Sequence, residues 1–154
     1  MKKPALKVVA HLRGGEILKG FTDFLPNGDV DALLSEDPIS LPAKITLQPA
    51  KSKKLVSLSI QSLKALFFVK TFEGSKDYKE IKFFHAHPRI EGLWVSVKFD
   101  DNEATEGIVH NSLHHLVEPG FFLKPPDPQS NNQVVYVVKD SLEEFRVLSV
   151  RETY

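Results

Sequence analysis

The sequence has no cysteine, no long apolar run and no excess of either charge. Without cysteine, disulfide bridges, thiolate zinc sites and thiol nucleophiles are excluded. No apolar stretch follows Met1, which argues against a signal peptide. The longest apolar runs, such as Ala65–Val69, are far too short to cross a bilayer. We therefore expect no membrane association and a cytoplasmic location.

Motifs that mark common reaction centres are also missing. The chain has no Gly-x-Ser-x-Gly nucleophile elbow, and Gly14-Gly15 is not followed by the Gly-Lys-Ser/Thr pattern of a phosphate-binding loop. Histidine is the only candidate metal ligand, and no H-E-x-x-H or comparable spacing occurs. We expect a protein that is not an enzyme and that needs no cofactor or metal. A minor alternative is a histidine metal site, for which the candidate ligands are the pair His85 and His87 and the loop group of His110, His114 and His115 beside Glu118.

The zero net charge hides an uneven distribution. Residues 1–90 hold 15 Lys and Arg against 9 Asp and Glu, a balance of +6, and residues 91–154 hold 5 against 11, a balance of −6. This asymmetry could steer a polyanion to one end or let molecules pair head to tail. The alternative is two solvated faces with no such role.

What the chain does contain is a stretch written twice. Val8–Gly20 (VVAHLRGGEILKG) returns as Val95–Gly107 (VSVKFDDNEATEG), 87 positions later. Each copy alternates apolar and polar residues, breaks at a turn and resumes toward a glycine, which predicts a β-hairpin. Glu16 and Glu103 take matching places beside the two turns, which favours a structural role over paired acid–base catalysis.

Later parts of the two halves match in the same order. Segments 45–48, 55–59 and 65–70 correspond to segments 121–124, 134–138 and 144–149. Between the copies, the spacing over Asp77–Phe84 is compatible with a short helix. We predict an all-β chain of two tandem small barrels, over residues 1–73 and 92–154, joined by a short helical or irregular linker over residues 74–91.

Each copy resembles the Sm-like and SH3-like small barrels. The stretch VVAHLRGGEILKGFTDF is similar to the first Sm motif, and LVSLSIQSLKALFFV is similar to the second. A more specific resemblance is to an uncharacterised bacterial domain family, on the stretches LKALFFVKTFEGSKDY and PGFFLKPPDPQSNNQVVYVV. That resemblance implies a bacterial source and an association with signalling modules.

These features favour a non-catalytic protein-interaction or regulatory module in a bacterial signalling context. The loop Pro125–Asn132, stiffened by three prolines, is the predicted contact surface, together with nearby aromatics expected to be exposed. The partner-binding residues are predicted to be Phe121, Asp127, Gln129, Asn131, Asn132 and Tyr136. The alternative for this loop is a plain strand connection.

A second hypothesis is RNA binding by a Sm-like protein through the basic first copy. Lys51, Lys53 and Lys54 would carry it, because clustered lysines neutralise phosphates. The resemblance to Sm-like units, which often form rings, implies association with further copies of the chain as a third type of contact, unless the covalent pair of units already satisfies the exposed edges.

Overall fold

The computed structural model describes residues 6–22, 41–73, 81–84, 92–112, 117–127 and 129–151. Within these ranges the chain is strand and turn with almost no helix. The first half contains β1 (Leu6–Leu12), β2 (Ile17–Thr22), β3 (Lys44–Pro49), β4 (Val56–Ser59) and β5 (Leu63–Val69). The second half contains β6 (Gly92–Phe99), β7 (Ala104–Val109), β8 (Gly120–Lys124), β9 (Asn132–Val138) and β10 (Leu142–Arg151).

The strands form one open, antiparallel, ten-stranded sheet in the order β10-β6-β7-β8-β9-β5-β1-β2-β3-β4. The prediction of an all-β chain is confirmed. The two halves are continuous, because β5 pairs with β9 in the middle of the sheet. Strands β10 and β4 are the two outer strands of this sheet.

Strand order is the same in both halves, and the register agrees wherever corresponding residues are paired, although the β6–β10 pair has a second shift at Leu148 that the β1–β5 pair lacks. In each half the last strand lies beside the first, and the second, third and fourth follow. Val8 lies opposite Gly20 in the β1–β2 pair, and Val95 lies opposite Gly107 in the β6–β7 pair. Both halves also have a β-bulge at the same place. Lys64 is left unpaired in the β1–β5 pair, and Glu143 is left unpaired in the β6–β10 pair.

The turns repeat as well. The Leu12 N–H donates to the Glu16 carbonyl at 2.8 Å, and the Phe99 N–H donates to the Glu103 carbonyl at the same distance. Both turns contain one residue with positive φ, at +96° in the first half and +72° in the second. A 3₁₀ turn precedes each last strand, and in both turns the final serine hydroxyl donates to the carbonyl of the residue before the turn at 2.6 Å.

Two hydrophobic clusters lie against opposite faces of the central strands. In β9, Tyr136 belongs to the first cluster, which is built mainly on the first half, while its neighbour Val137 belongs to the second cluster. In β5, Leu66 and Ala65 divide between the clusters in the same way. Because both faces of β5 and β9 meet apolar side chains, these strands read as nearly continuous apolar runs.

The predicted linker lies mostly outside the described residues. Of the expected helix over Asp77–Phe84, only residues 81–84 are described, and these four are not helical. The domain boundaries at residues 73 and 92 stay predictions. In the ranges that the structure covers, no helix is both long enough and apolar enough to span a membrane.

Candidate functional site

In the loop between β8 and β9, the carboxylate of Asp127 is buried in the protein. Asp127 is only 4% exposed. One of its carboxylate oxygens accepts a hydrogen bond from the Ile81 N–H at 3.0 Å, and the other accepts one from the Gln129 N–H at 3.0 Å. Asp127 therefore holds the turn and the segment around Ile81, as a short acidic side chain commonly does in turns.

Asn131 ties the same loop to the end of β5. Its side-chain oxygen accepts from the Thr71 N–H at 2.9 Å and from the Thr71 hydroxyl at 3.1 Å. Its side-chain nitrogen donates to the Thr71 carbonyl at 2.8 Å. The Asn131 amide thus makes three hydrogen bonds to Thr71, and these bonds connect the second half to the first.

Within the described part of this loop, only Gln129 is an exposed member of the predicted set. Asn132 is half-buried, and its N–H donates to the Ser130 hydroxyl at 2.9 Å. Pro128 lies outside the described residues. The geometry favours the alternative of a structural strand connection, and the contact role of the loop stays a prediction.

Phe121 and Tyr136 are not surface aromatics. Their exposed fractions are 4% and 2%, so the expectation that they are exposed is wrong. The reason is that β8 and β9 are interior strands with a hydrophobic cluster on each face, which leaves neither side of them to solvent. Burial, aided by the charge of Glu118, raises the pKa of Tyr136 to about 12, so its hydroxyl stays protonated.

The three lysines proposed for RNA binding all lie exposed between β3 and β4. Lys51 and Lys53 belong to the turn, and the Lys54 N–H donates to the Ser52 hydroxyl at 3.2 Å. They form an accessible basic patch next to the outer strand β4. The RNA-binding hypothesis is compatible with this position and stays a prediction.

A buried lysine joins the halves at the other end of β5. The Lys64 ammonium contacts the Asp101 carboxylate at 2.7 Å and the Glu103 carboxylate at 2.6 Å. It also lies 4.6 Å from the centre of the Phe99 ring, a cation–π contact. Both carboxylates belong to the β6–β7 turn, so this ion cluster links the bulge of β5 to the second half.

Protonation at this cluster follows from its contacts. Burial of Lys64 favours the neutral amine, but its hydrogen bonds to Asp101 and Glu103 outweigh burial and raise its pKa. The same Lys64 contact, with the Glu103 N–H, lowers the pKa of Asp101. Both side chains remain charged around neutral pH, as a structural ion pair requires.

Next to the cluster, His11 gives the fold a predicted dependence on pH. Burial lowers the pKa of His11, and the Lys64 charge lowers it further. The unfolded chain therefore takes up a proton near pH ~6.5, while the folded chain does so only at lower pH. Because the unfolded state binds more protons in that window, the free energy of unfolding should fall as pH drops below about 6.5, by at most about 1.4 kcal/mol per pH unit.

The test is denaturant unfolding from about pH 7.5 to about pH 5.5, in wild type and in His11→Gln. The substitution should flatten the slope in this range, because glutamine does not titrate. An unchanged slope in the variant would show that other groups cause the dependence.

The histidine metal site finds no geometric support in the portion that is described. There, no group of three or more His, Asp or Glu side chains is placed to hold a metal ion. His110 and Glu118 are among the described residues. His85, His87, His114 and His115 lie outside them.

The outer strand β10 carries four exposed large apolar side chains. Phe145, Val147, Leu148 and Val150 are 42%, 51%, 45% and 54% exposed. No strand of the described residues pairs with the outer side of β10, so its backbone donors and acceptors there are open to a further strand. A long edge strand with exposed apolar side chains is a site for strand addition.

Its counterpart in the first half shows what covers such a surface. The residues of β5 that correspond to Phe145 and Val147 are Leu66 and Phe68, and both are completely buried. Strand β9 pairs with β5 at these positions. Leu66 and Phe68 also pack in a hydrophobic cluster that includes Val134 and Tyr136 of β9, whereas among the described strands β10 has no such neighbour on its outer side.

Comparison with family models finds one that matches residues 4–149, described as a family of unknown function (DUF6982). The chain belongs to the DUF6982 family. Comparison of this DUF6982 chain with curated proteins and with solved structures found no match.

Sequence reasoning missed the β10 edge of this DUF6982 chain, although a signal exists. Segment 63–69 (LKALFFV) is nearly continuous in apolar residues, whereas segment 142–148 (LEEFRVL) carries charges at three positions. Continuous apolar strands are typical of the interior of a sheet, and mixed strands are typical of its margins. The difference between the two halves, not their similarity, indicated the candidate site.

Proposed function

We propose that this protein is a non-catalytic protein-interaction or regulatory module that binds through the outer strand β10. It consists of two Sm-like or SH3-like units of five strands each, arising from an internal repeat. The bacterial signalling context expected from the sequence is part of the same proposal. Binding by strand addition uses the backbone of β10 for affinity and its apolar side chains for contact area.

The repeat of two units is supported by the equal strand order and register of the halves. Chance similarity is a poor explanation of a shared bulge, at Lys64 and at Glu143, together with shared turn hydrogen bonds. A last strand that lies beside the first and follows a 3₁₀ turn is also the arrangement that the resemblance to small barrels implies.

The use of β10 is supported by one observation above all. Its Val147 is 51% exposed, whereas Phe68, at the same place in β5, is 0% exposed in a hydrophobic cluster to which the neighbouring strand β9 contributes. Natural proteins usually protect long edge strands with charges, bulges or a covering segment, and β10 carries charges at Glu143, Glu144 and Arg146 and has two register shifts. Four large apolar side chains of β10 nevertheless stay exposed, and a partner that covers them would explain that exposure.

The test is capture of partners from a native lysate by the tagged protein, by a Val147→Lys/Val150→Lys variant and by Ile17→Lys. Lysine on an edge opposes the addition of a strand, so the double variant should retain at least about tenfold less partner. Ile17 is the matched control, because it is also 51% exposed but lies in β2, which has neighbours on both sides.

Each lysate is divided into nuclease-treated and untreated arms. We expect capture to be insensitive to nuclease and unchanged in the Ile17→Lys control. Equal capture by the β10 variant would contradict the proposal. Loss of capture after nuclease treatment, and after replacement of Lys51, Lys53 and Lys54, would favour RNA binding instead.

A further inference from the structure

The β5–β9 junction in the middle of the sheet is a contact between two specific types of strand. It joins the last strand of the first half to the fourth strand of the second half. The two outer strands are the fourth strand of the first half, β4, and the last strand of the second half, β10. The two edges of the sheet are therefore formed by a fourth strand and a last strand, the same two positions that pair with each other in the middle of the sheet.

We propose that copies of the chain associate head to tail, with β10 of one copy pairing antiparallel with β4 of the next as β5 pairs with β9. This inference rests on the proposed function, since it names the partner of the β10 edge. A head-to-tail contact uses two different surfaces, so repetition gives either a closed ring or an open chain, according to the rotation between copies.

The residue pairs of the β5–β9 junction predict the residue pairs of the proposed contact between β10 of one copy and β4 of the next. Phe68 lies opposite Val134 in the β5–β9 pair. By the same correspondence, Phe68 matches Val147 of β10, and Val134 matches Leu55. Leu55 immediately precedes β4 (Val56–Ser59), so the transferred pairing extends β4 by one residue. Val147 and Leu55 are 51% and 61% exposed. Two exposed apolar side chains thus fall directly opposite each other, where each would cover the other.

Charge favours contact between unlike edges over contact between like edges. Strand β4 belongs to residues 1–90, which carry +6, and β10 belongs to residues 91–154, which carry −6. Pairing of β10 with a second β10 would bring two acidic halves together. Head-to-tail pairing brings opposite charges together, which assists both encounter and orientation.

At one place the proposed contact between copies brings two like charges together, and removal of this repulsion provides a gain-of-function test. At the junction, Lys64 of β5 binds Glu103 in the β6–β7 turn. The corresponding pair between copies is Glu143 and Glu16, two carboxylates. Glu16→Lys replaces this repulsion with attraction, so it should tighten association by about 1.5-fold to fivefold, the range expected for an exposed ion pair.

The absence of cysteine allows the register to be tested directly. Residues opposite each other in antiparallel strands have Cα atoms about 4.5–5.5 Å apart, which a disulfide can span. Leu55→Cys and Val147→Cys are purified separately, mixed and oxidised. Gln129→Cys, at an exposed position away from both edges, replaces one partner as the matched control.

We expect a disulfide-linked dimer in the mixture of Leu55→Cys with Val147→Cys, at least about fivefold above that in either variant alone or in the control mixture. We also expect the mass of the wild-type protein in sedimentation equilibrium to rise with concentration, and to rise earlier in Glu16→Lys. Equally strong cross-linking of Val147→Cys alone would overturn head-to-tail pairing in favour of a symmetric contact between two β10 strands.

A wild-type protein that stays monomeric at every concentration would overturn self-association. That result would not overturn the proposed function, because the lysate experiment tests it separately. Loss of a captured partner in the β10 double variant would still support the proposed function. Failure of both experiments would remove both proposals.

Discussion

Phe68→Ala is expected to lower the free energy of unfolding by about 3–5 kcal/mol, the usual cost of removing a buried phenylalanine side chain. Phe68 is completely buried in β5, and its ring centre lies 6.2 Å from that of Phe122 in β8. Its cluster draws residues from both halves. A loss of this size is a large share of the stability of a domain, about 5–15 kcal/mol.

The matched control is Val147→Ala, the corresponding position of β10. Because Val147 is 51% exposed, its truncation should cost less than about 1 kcal/mol in the monomer. Unfolding in denaturant, followed through the single tryptophan, Trp94, measures both variants from the second half of the chain. A Phe68→Ala variant that leaves the Trp94 transition unchanged would mean that the halves do not depend on each other.

Gly20→Ala and Gly107→Ala are each expected to lower the free energy of unfolding by about 1–3 kcal/mol, the range for forcing extra atoms into a packed interior. A Cβ added to Gly20 would collide with the backbone carbonyl of Gln48. A Cβ added to Gly107 would lie 2.8 Å from the Lys124 carbonyl oxygen and would also collide with the Leu123 side chain. Backbone cannot yield as a flexible side chain can, so the strands must separate.

Gly14→Ala is the control for this pair, because a Cβ at Gly14 would meet nothing within 4 Å. Its effect should stay within about 0.5 kcal/mol, as for most surface changes. Similar costs at Gly20 and Gly107 would also support equal roles for them in the two halves. A tolerated alanine at either position would contradict the close approach of the neighbouring strand.

The local structure of the hairpins was predictable because it depends on neighbouring residues. Alternation around Val8 and Val95 indicated strands, and Gly14-Gly15 and Asp101-Asn102 indicated turns at the places where the chain turns. The pairings of Gly20 show no register shift, and the reason for a glycine there is the nearby backbone of β3.

The candidate site was harder to predict than the hairpins. An aromatic residue in a strand reads the same whether its strand lies inside a sheet or at its margin, so Phe121 and Tyr136 were expected on the surface and are buried. The sequence of the Pro125–Asn132 loop also did not indicate whether its polar side chains point into the protein or toward solvent. Asp127 and Asn131 bind backbone that is distant in sequence, at Ile81 and Thr71, and that proximity comes only from folding.

By itself, the sequence determined the class of the protein, its strands and its turns, because alternation and turn chemistry act over a few residues. It also contained the correspondence between halves that the structure shows as equal registers. The apolar continuity of segment 63–69, compared with the charges of segment 142–148, was a local sign that β5 is interior and β10 is outer. Only the tertiary structure decided that β9 is the strand that β5 meets. That decision depends on contacts between residues far apart in the chain, such as Phe68 and Val134, whose pairing no local pattern encodes.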